Sequence, residues 1–227
     1  MKDIIIPILF ITAIVMMIVF GYFFSDKQRI LRELKKSRRK TISQVRENEY
    51  AKVIGKAKHV DEPLIAPISG RPCVYYKVHV ERKGDKSWHT VVKETKSQDF
   101  FLESNTELAI VKANFEVEKN KRVYLEEDHK RNSGFMNDAS HKLNEYLAQH
   151  NKSSTGFFGF NKTLRYKEGI IALNETVAVK GIAKWKALNE PVDGYSYSRI
   201  LTFEGSAEQK LLITDVPKAM EKVPRKL

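Results

Sequence analysis

The single cysteine, Cys73, lies in the stretch EPLIAPISGRPCVYYKVHVE (Glu62 to Glu81), between a Gly-Arg-Pro turn and an alternating run. A cysteine acts as a nucleophile when a neighbouring base or cation lowers its pKa, whereas a thiol among apolar neighbours stays protonated and inert. His59, His79 and His89 are the nearest histidines in sequence, and none forms a protease motif with it. With Val74 and Tyr75 beside it, Cys73 reads as a small buried hydrophobe. The enzymatic alternative is a hydrolase-like site dispersed along the chain, built from Cys73, His89 and Glu168.

Other chemistries find less support. The six histidines, His59, His79, His89, His129, His141 and His150, show neither HxxxH nor HExxH spacing, so no metal site and no cofactor is expected. Ser69 and Ser206 stand in neither a GxSxG nor an SxxK motif. The loop SSTGFFGFNK has Gly156, Gly159 and Lys162 but not the phosphate-cradling spacing. Its Phe157, Phe158 and Phe160 either cover an open sheet end or dock on a partner or the bilayer.

Any such residues must be positioned by a chain of two characters. From Ile4 to Phe24 there is no charged residue, and about twenty apolar residues in helical geometry span a hydrocarbon core. The end of that run, VFGYFFSDK, lacks the small residues of a signal-peptidase site, so residues 1–25 are read as a transmembrane anchor. Lys27, Arg29, Arg32, Lys35, Lys36, Arg38, Arg39, Lys40 and Arg46 follow, against Asp26, Glu33 and Glu47, and carry half of the formal net charge of +12. This bias places the amino terminus outside and the remainder in the cytoplasm. Residues 26–49 are then a basic juxtamembrane helix or stalk able to lie on anionic lipid, with Leu31, Leu34, Ile42 and Val45 near one stripe. A juxtamembrane position accounts for the charge, so nucleic acid is not the expected partner, although an exposed Tyr and Lys face on YKVH and WHTVVK would allow it. In the cytoplasm the sequons at Asn151, Asn161 and Asn174 are incidental.

Beyond Glu49 the period changes to two. CVYYKVHVER sets Tyr76, Val78 and Val80 on one face, and with the KGDK turn and SWHTVVKETK it predicts a hairpin. TELAIVKA, KRVYLEE, ETVAVKGIAKW, YSYSRILTF and QKLLITD are further strands, and NDASHKLNEYLAQH is one inserted helix. The expected fold is mainly β, an antiparallel sandwich or partly closed barrel over residues 50–220, with a tail at 221–227. The phrases AKVIGKAKHV and VAVKGIAKWK repeat a mid-strand glycine, Gly55 or Gly181, as at a bulge or barrel corner, which suggests two related β units packed face to face.

The order of these features resembles the GIDE, or beside-a-membrane, domain of mitochondrial membrane-anchored ubiquitin ligases and of many prokaryotic membrane proteins. The resemblance covers Tyr50 to about Met220. It rests on Pro63-Leu64, on the turn holding Pro67, Ser69 and Gly70, on Cys73, Tyr75 and Tyr76, and on Glu168 ahead of the strand carrying Gly181. Ala66 stands where the family has a serine. These positions are expected to be structural. The resemblance implies a scaffold that holds an unknown protein or peptide partner at a membrane, such as a prokaryotic inner membrane, with no oligomeric state specified. Ubiquitin transfer in the family needs a RING finger with paired zinc ligands, which one cysteine cannot supply, so ligase activity is not expected.

Overall fold

The computed structural model describes residues 2–113, 118–134, 137–156, 160–188 and 198–221. Helix α1 (Lys2–Phe23) leads into α2 (Asp26–Lys36), and a short 3-10 turn, Ile42–Gln44, precedes the sheets. The strands are β1 (Tyr50–His59), β2 (Leu64–Ile65), β3 (Pro72–Lys83), β4 (Trp88–Ser97), β5 (Phe100–Ser104), β6 (Glu107–Val111), β7 (Lys121–Tyr124) and β8 (His129–Ser133). Helix α3 (His141–Gln149) separates these from β9 (Leu164–Ala172), β10 (Thr176–Ala187), β11 (Arg199–Glu204) and β12 (Leu211–Thr214).

Five strands close a barrel in the order β1-β5-β6-β11-β10, with β10 pairing back onto β1, and β12 and β7 extend from β10. In the closed ring β1 is flanked by β10 and β5 in staggered registers, and β10 by β1 on one edge and by β12 and then β11 on the other. β1 pairs with β10 through Lys56 and with β5 from Lys56 onward, while β10 meets β12 at Ala178–Lys180 and β11 from Ile182. Gly55 and Gly181 sit at these two junctions. A Cβ on Gly55 would run into the Glu103 carbonyl, and one on Gly181 would lie 3.0 Å from the Glu204 carbonyl and 2.9 Å from Leu211. The repeated phrases therefore mark the two corners of one barrel, paired antiparallel with Ala51 opposite Gly181 and Gly55 opposite Val177, and not two units facing each other. The repeat extends to charge: three residues after each glycine, Lys58 lies 3.5 Å from Glu103 and Lys184 lies 2.6 Å from Glu204.

The second sheet runs β2-β3-β9-β8, with β4 on β3 as the predicted hairpin. Tyr76, Val78 and Val80 face α3, whose Leu143, Tyr146 and Leu147 complete that core. Strict alternation fails at one place. A register shift between Cys73 and Tyr75 turns both Val74 and Tyr75 toward the barrel core, where Ile171 joins them. Two pairings, β6 with β11 and β7 with β12, are parallel in an otherwise antiparallel set.

The segment read as a juxtamembrane stalk belongs to the folded domain from Ile30 onward. The helix ends at Lys36, and Ile30 and Leu34 are buried against Ile54, Ala178 and Leu212 on the outer face of the barrel. Ile42 and Val45 are buried through the 3-10 turn and not along a continued helical stripe. Among the described residues no single helix is long and apolar enough to cross a membrane; Ile11–Phe23 and Asp26–Lys36 meet the criterion only together, bent by 54°.

Replacing Gly55 by Ala is expected to lower the free energy of unfolding by about 1–3 kcal/mol, as overpacking does. Gly21→Ala, where a Cβ meets nothing, should leave it unchanged. Guanidinium denaturation followed by the fluorescence of Trp88 and Trp185 measures both.

Candidate functional site

Cys73 is fully buried, and burial pushes its thiol up to about 11, with the nearby Glu168 carboxylate adding to the rise. Its backbone pairs with Leu64 on one side and Ala172 on the other. His89 stands opposite Arg82 at the far end of β3, nine residues along a strand that rises about 3.3 Å per residue. His79 lies six residues along the same strand and hydrogen-bonds Thr90. The proposed Cys73, His89 and Glu168 set is thus not brought together, and Glu168 has a different task.

The Glu168 side chain is fully buried, and its two carboxylate oxygens accept the amides of Ile68 and Ser69, each at 2.9 Å. This clamps the turn between β2 and β3, which closes through Gly70 N to Ala66 O at 2.8 Å. Gly70 takes φ +72, and a Cβ there would collide with the Lys142 ammonium, which donates to Ser69 O at 3.0 Å. Pro67, Ser69, Gly70 and Glu168 therefore form one local unit, flanked by Leu64 opposite Cys73; Pro63 immediately precedes β2. Tyr75 and Tyr76 are buried, so neither ring of that stretch offers a stacking surface, and Trp88 lies under the Arg165 guanidinium at 4.3 Å.

The turn forms one wall of a cleft of about 540 Å³. Ile68, Ser69 and Arg71 face Arg131 on β8, Tyr166 on β9, and Ser140, His141 and Lys142 at the start of α3. The Ser140 hydroxyl caps the helix by accepting Leu143 N. The far end of α3 is held by a constellation that neither periodicity nor motif indicated. The Tyr76 and Tyr146 hydroxyls donate to the two oxygens of Glu94, both at 2.8 Å, and His150 Nε2 lies 3.3 Å from the same carboxylate. Burial acts to raise the Glu94 carboxyl, but the hydrogen bonds from Tyr146, Tyr76 and His150 outweigh it and hold the group below its ordinary range. Both phenols are pushed up, first by burial and then by the carboxylate.

A second titratable group lies where the barrel meets the second sheet. Burial raises the Asp215 carboxyl to about 7, although it accepts the Glu126 amide at 2.9 and 3.1 Å, and Glu175 adds to the rise. Glu175, itself raised by burial, accepts Ala172 N at 2.7 Å within the turn joining β9 to β10. The described residues contain no group of three or more His, Cys, Asp or Glu able to hold a metal ion.

The basic residues after α1 are divided in role. Lys27 lies over the Tyr124 ring, Arg29 over Phe24, and Arg32 donates to Phe23 O at 2.7 Å. Lys40 pairs with Glu49 and Lys36 with Glu33, while Lys35, Arg38 and Arg39 are exposed. Of the phenylalanine loop, Phe157 and Phe158 lie outside the described residues, and Phe160 is 75 % exposed.

No protein-family model matches the chain, and comparisons with curated proteins and with solved structures find no match either.

Two outcomes follow from these environments. Cys73 should resist a thiol reagent in the native chain at mildly alkaline pH and react fully in denaturant; rapid native labelling would contradict its burial. Glu94 carries a folded pKa below its ordinary 4.5, so its contribution to stability is complete above that value and disappears as pH falls through the folded one. Glu94→Gln is expected to lower stability at neutral pH and to flatten the loss below pH 4.5 in acid titrations of the melting temperature. An unchanged acid limb would rule out this role.

Proposed function

We propose that the chain is a membrane-anchored binding module of the GIDE type, with α1 as the anchor and the β domain held at the membrane surface, without catalysis of its own. One observation carries this reading. Every residue from Ile11 to Phe24 is exposed, and the large apolar side chains along it have no cover in the fold. An exposed apolar surface of this kind marks a membrane or protein contact, and although Ile11–Phe23 alone is too short to span a bilayer, the uncharged sequence begins at Ile4 and so reaches about twenty residues.

The junction supports the same conclusion. Ser25 caps α2 by accepting Gln28 N, while its own hydroxyl donates to Tyr22 O at 2.8 Å, so the chain turns without a flexible linker. The apolar side of α2 is covered by the barrel, which leaves its exposed Arg32, Lys35 and Lys36, with Arg38 and Arg39 just beyond, available to anionic headgroups. In this reading Tyr22, Phe23 and Phe24 sit at the interface and the carboxy-terminal domain lies on the side of the positive charge, the cytoplasm. The separation of His79 and His89 from Cys73 along β3 and the structural use of Glu168 favour binding over hydrolysis. Phe160, exposed on its loop, is the point at which a protein partner would dock.

The test is extraction. The full chain should remain in the membrane pellet after alkaline carbonate, and Ile14→Lys with Ile18→Lys should release it, since each charge near a span's centre costs about 2.5–3.5 kcal/mol. Both positions are exposed, so the fold itself is not at stake. Recovery of the unaltered chain in the soluble fraction would end this reading.

A further inference from the structure

We propose that the cleft between the 66–71 turn, β8 and the start of α3 binds a phosphate monoester with an apolar body. Its volume, about 540 Å³, lies within the range of small-molecule sites and is far larger than an isolated ion requires. Its lining is chemically one-sided. Arg71, Arg131, His141 and Lys142 come from three separate elements, Ser69 and Ser140 add hydroxyls, Ile68 and Tyr166 supply apolar surface, and no carboxylate lines it among the described residues.

Existing carboxylates pair with Arg71 and His141 only, and leave Arg131 and Lys142 without an ion-pair partner among the described residues. Arg71 lies 3.7 Å from Asp128 and His141 lies 3.4 Å from Glu145, both carboxylates outside the lining. Lys142 reaches only a neutral carbonyl, Ser69 O. Arg131 makes no ion pair among the described residues. Arg131 and Lys142, on opposite walls of the cleft, thus keep positive charge that a dianion can meet, with the paired N–H groups of guanidinium as donors. A cationic or neutral ligand would gain nothing comparable.

The walls are fixed before any ligand arrives. Glu168 occupies the amides of Ile68 and Ser69 and holds the turn in place, and Gly70 at φ +72 makes room for Lys142. At its other end α3 is fastened through Tyr146 to Glu94. Little ordering is left to oppose binding. The apolar surface of Ile68 and Tyr166 beside the cations selects a phosphate attached to a hydrophobic group over phosphate alone.

The same chemistry is presented by a soluble metabolite and by a lipid headgroup, and two arms separate these sources. The full chain in neutral detergent micelles is titrated with phenyl phosphate by calorimetry, and the titration is repeated in micelles doped with phosphatidic acid. Saturable binding is expected, weakened at least tenfold in a variant carrying Arg131→Gln and Lys142→Gln and reduced by added salt. Both residues are exposed, and an unchanged melting temperature confirms that the variant folds. If phosphatidic acid displaces phenyl phosphate, the ligand is a headgroup; if it does not, the ligand is soluble. Absence of saturable binding in neutral micelles, or equal binding by the variant, overturns the proposal. Neither result bears on membrane anchoring, which the extraction experiment decides separately.

Discussion

Closure of the barrel by a single pair of strands, β1 and β10, is the constraint on which the rest of the structure depends. Closing a small sheet tilts and staggers its strands, and where a strand bends sharply a neighbouring backbone passes where a side chain would stand. Gly55 and Gly181 meet that requirement against the carbonyls of Glu103 and Glu204. The same corners set where the chain goes next. The turn joining β9 to β10 is tied to the end of β1 by Asn174 N to Ala57 O and Ala57 N to Glu175 O, both 2.8 Å. The second sheet therefore starts from the barrel's own seam, and Val74, Tyr75 and Ile171 extend the barrel core into it.

Charged groups are buried where separate layers join. Lys52, at 1 % exposure, donates to Leu34 O at the end of α2, and burial holds its ammonium pKa below the ordinary range. Lys180 reaches Glu33 of the same helix at 3.4 Å and lies 4.2 Å over the Tyr50 ring. Glu168 fastens the β2–β3 turn to β9, and Glu94 fastens α3 to β4. Desolvation makes each of these costly relative to an apolar contact, so their physical effect is to fix one arrangement of helix on sheet among the several that apolar packing alone would tolerate.

The parts legible in the sequence were those governed by local rules. The β3–β4 hairpin followed from alternation and a turn, α3 from its spacing and the Ser140 cap, and the glycine corners from a break in two strands. β8, HKRNS, carries no alternation of apolar residues, and neither it nor β9 was among the expected strands. The docking of α2 was missed because its basic composition concealed two short apolar positions, Ile30 and Leu34, that suffice to bury one side. The Glu94 clamp and the cleft depend on residues 18 to 100 positions apart, separations that no pattern of period or spacing registers.

Each sheet has one outer face covered by one amphipathic helix, and the two helices differ in what they leave open. Along α2 the contacts run to β7, β12 and the 3-10 turn at Pro217–Ala219, whereas the cleft beside α3 is made from the β2–β3 turn, β8 and β9. The proposed anchor and the proposed ligand site thus share no element. A rigid α2 fixed by Lys52 and Lys180 carries the direction of α1 into the barrel, and the β1–β10 seam carries the barrel's orientation into the second sheet. The position of the cleft relative to α1 is then set by packed strands and not by a linker. On this geometry the exposed apolar helix and the cleft are connected through α2, the barrel and the β1–β10 seam, each held to the next by packed or hydrogen-bonded contacts.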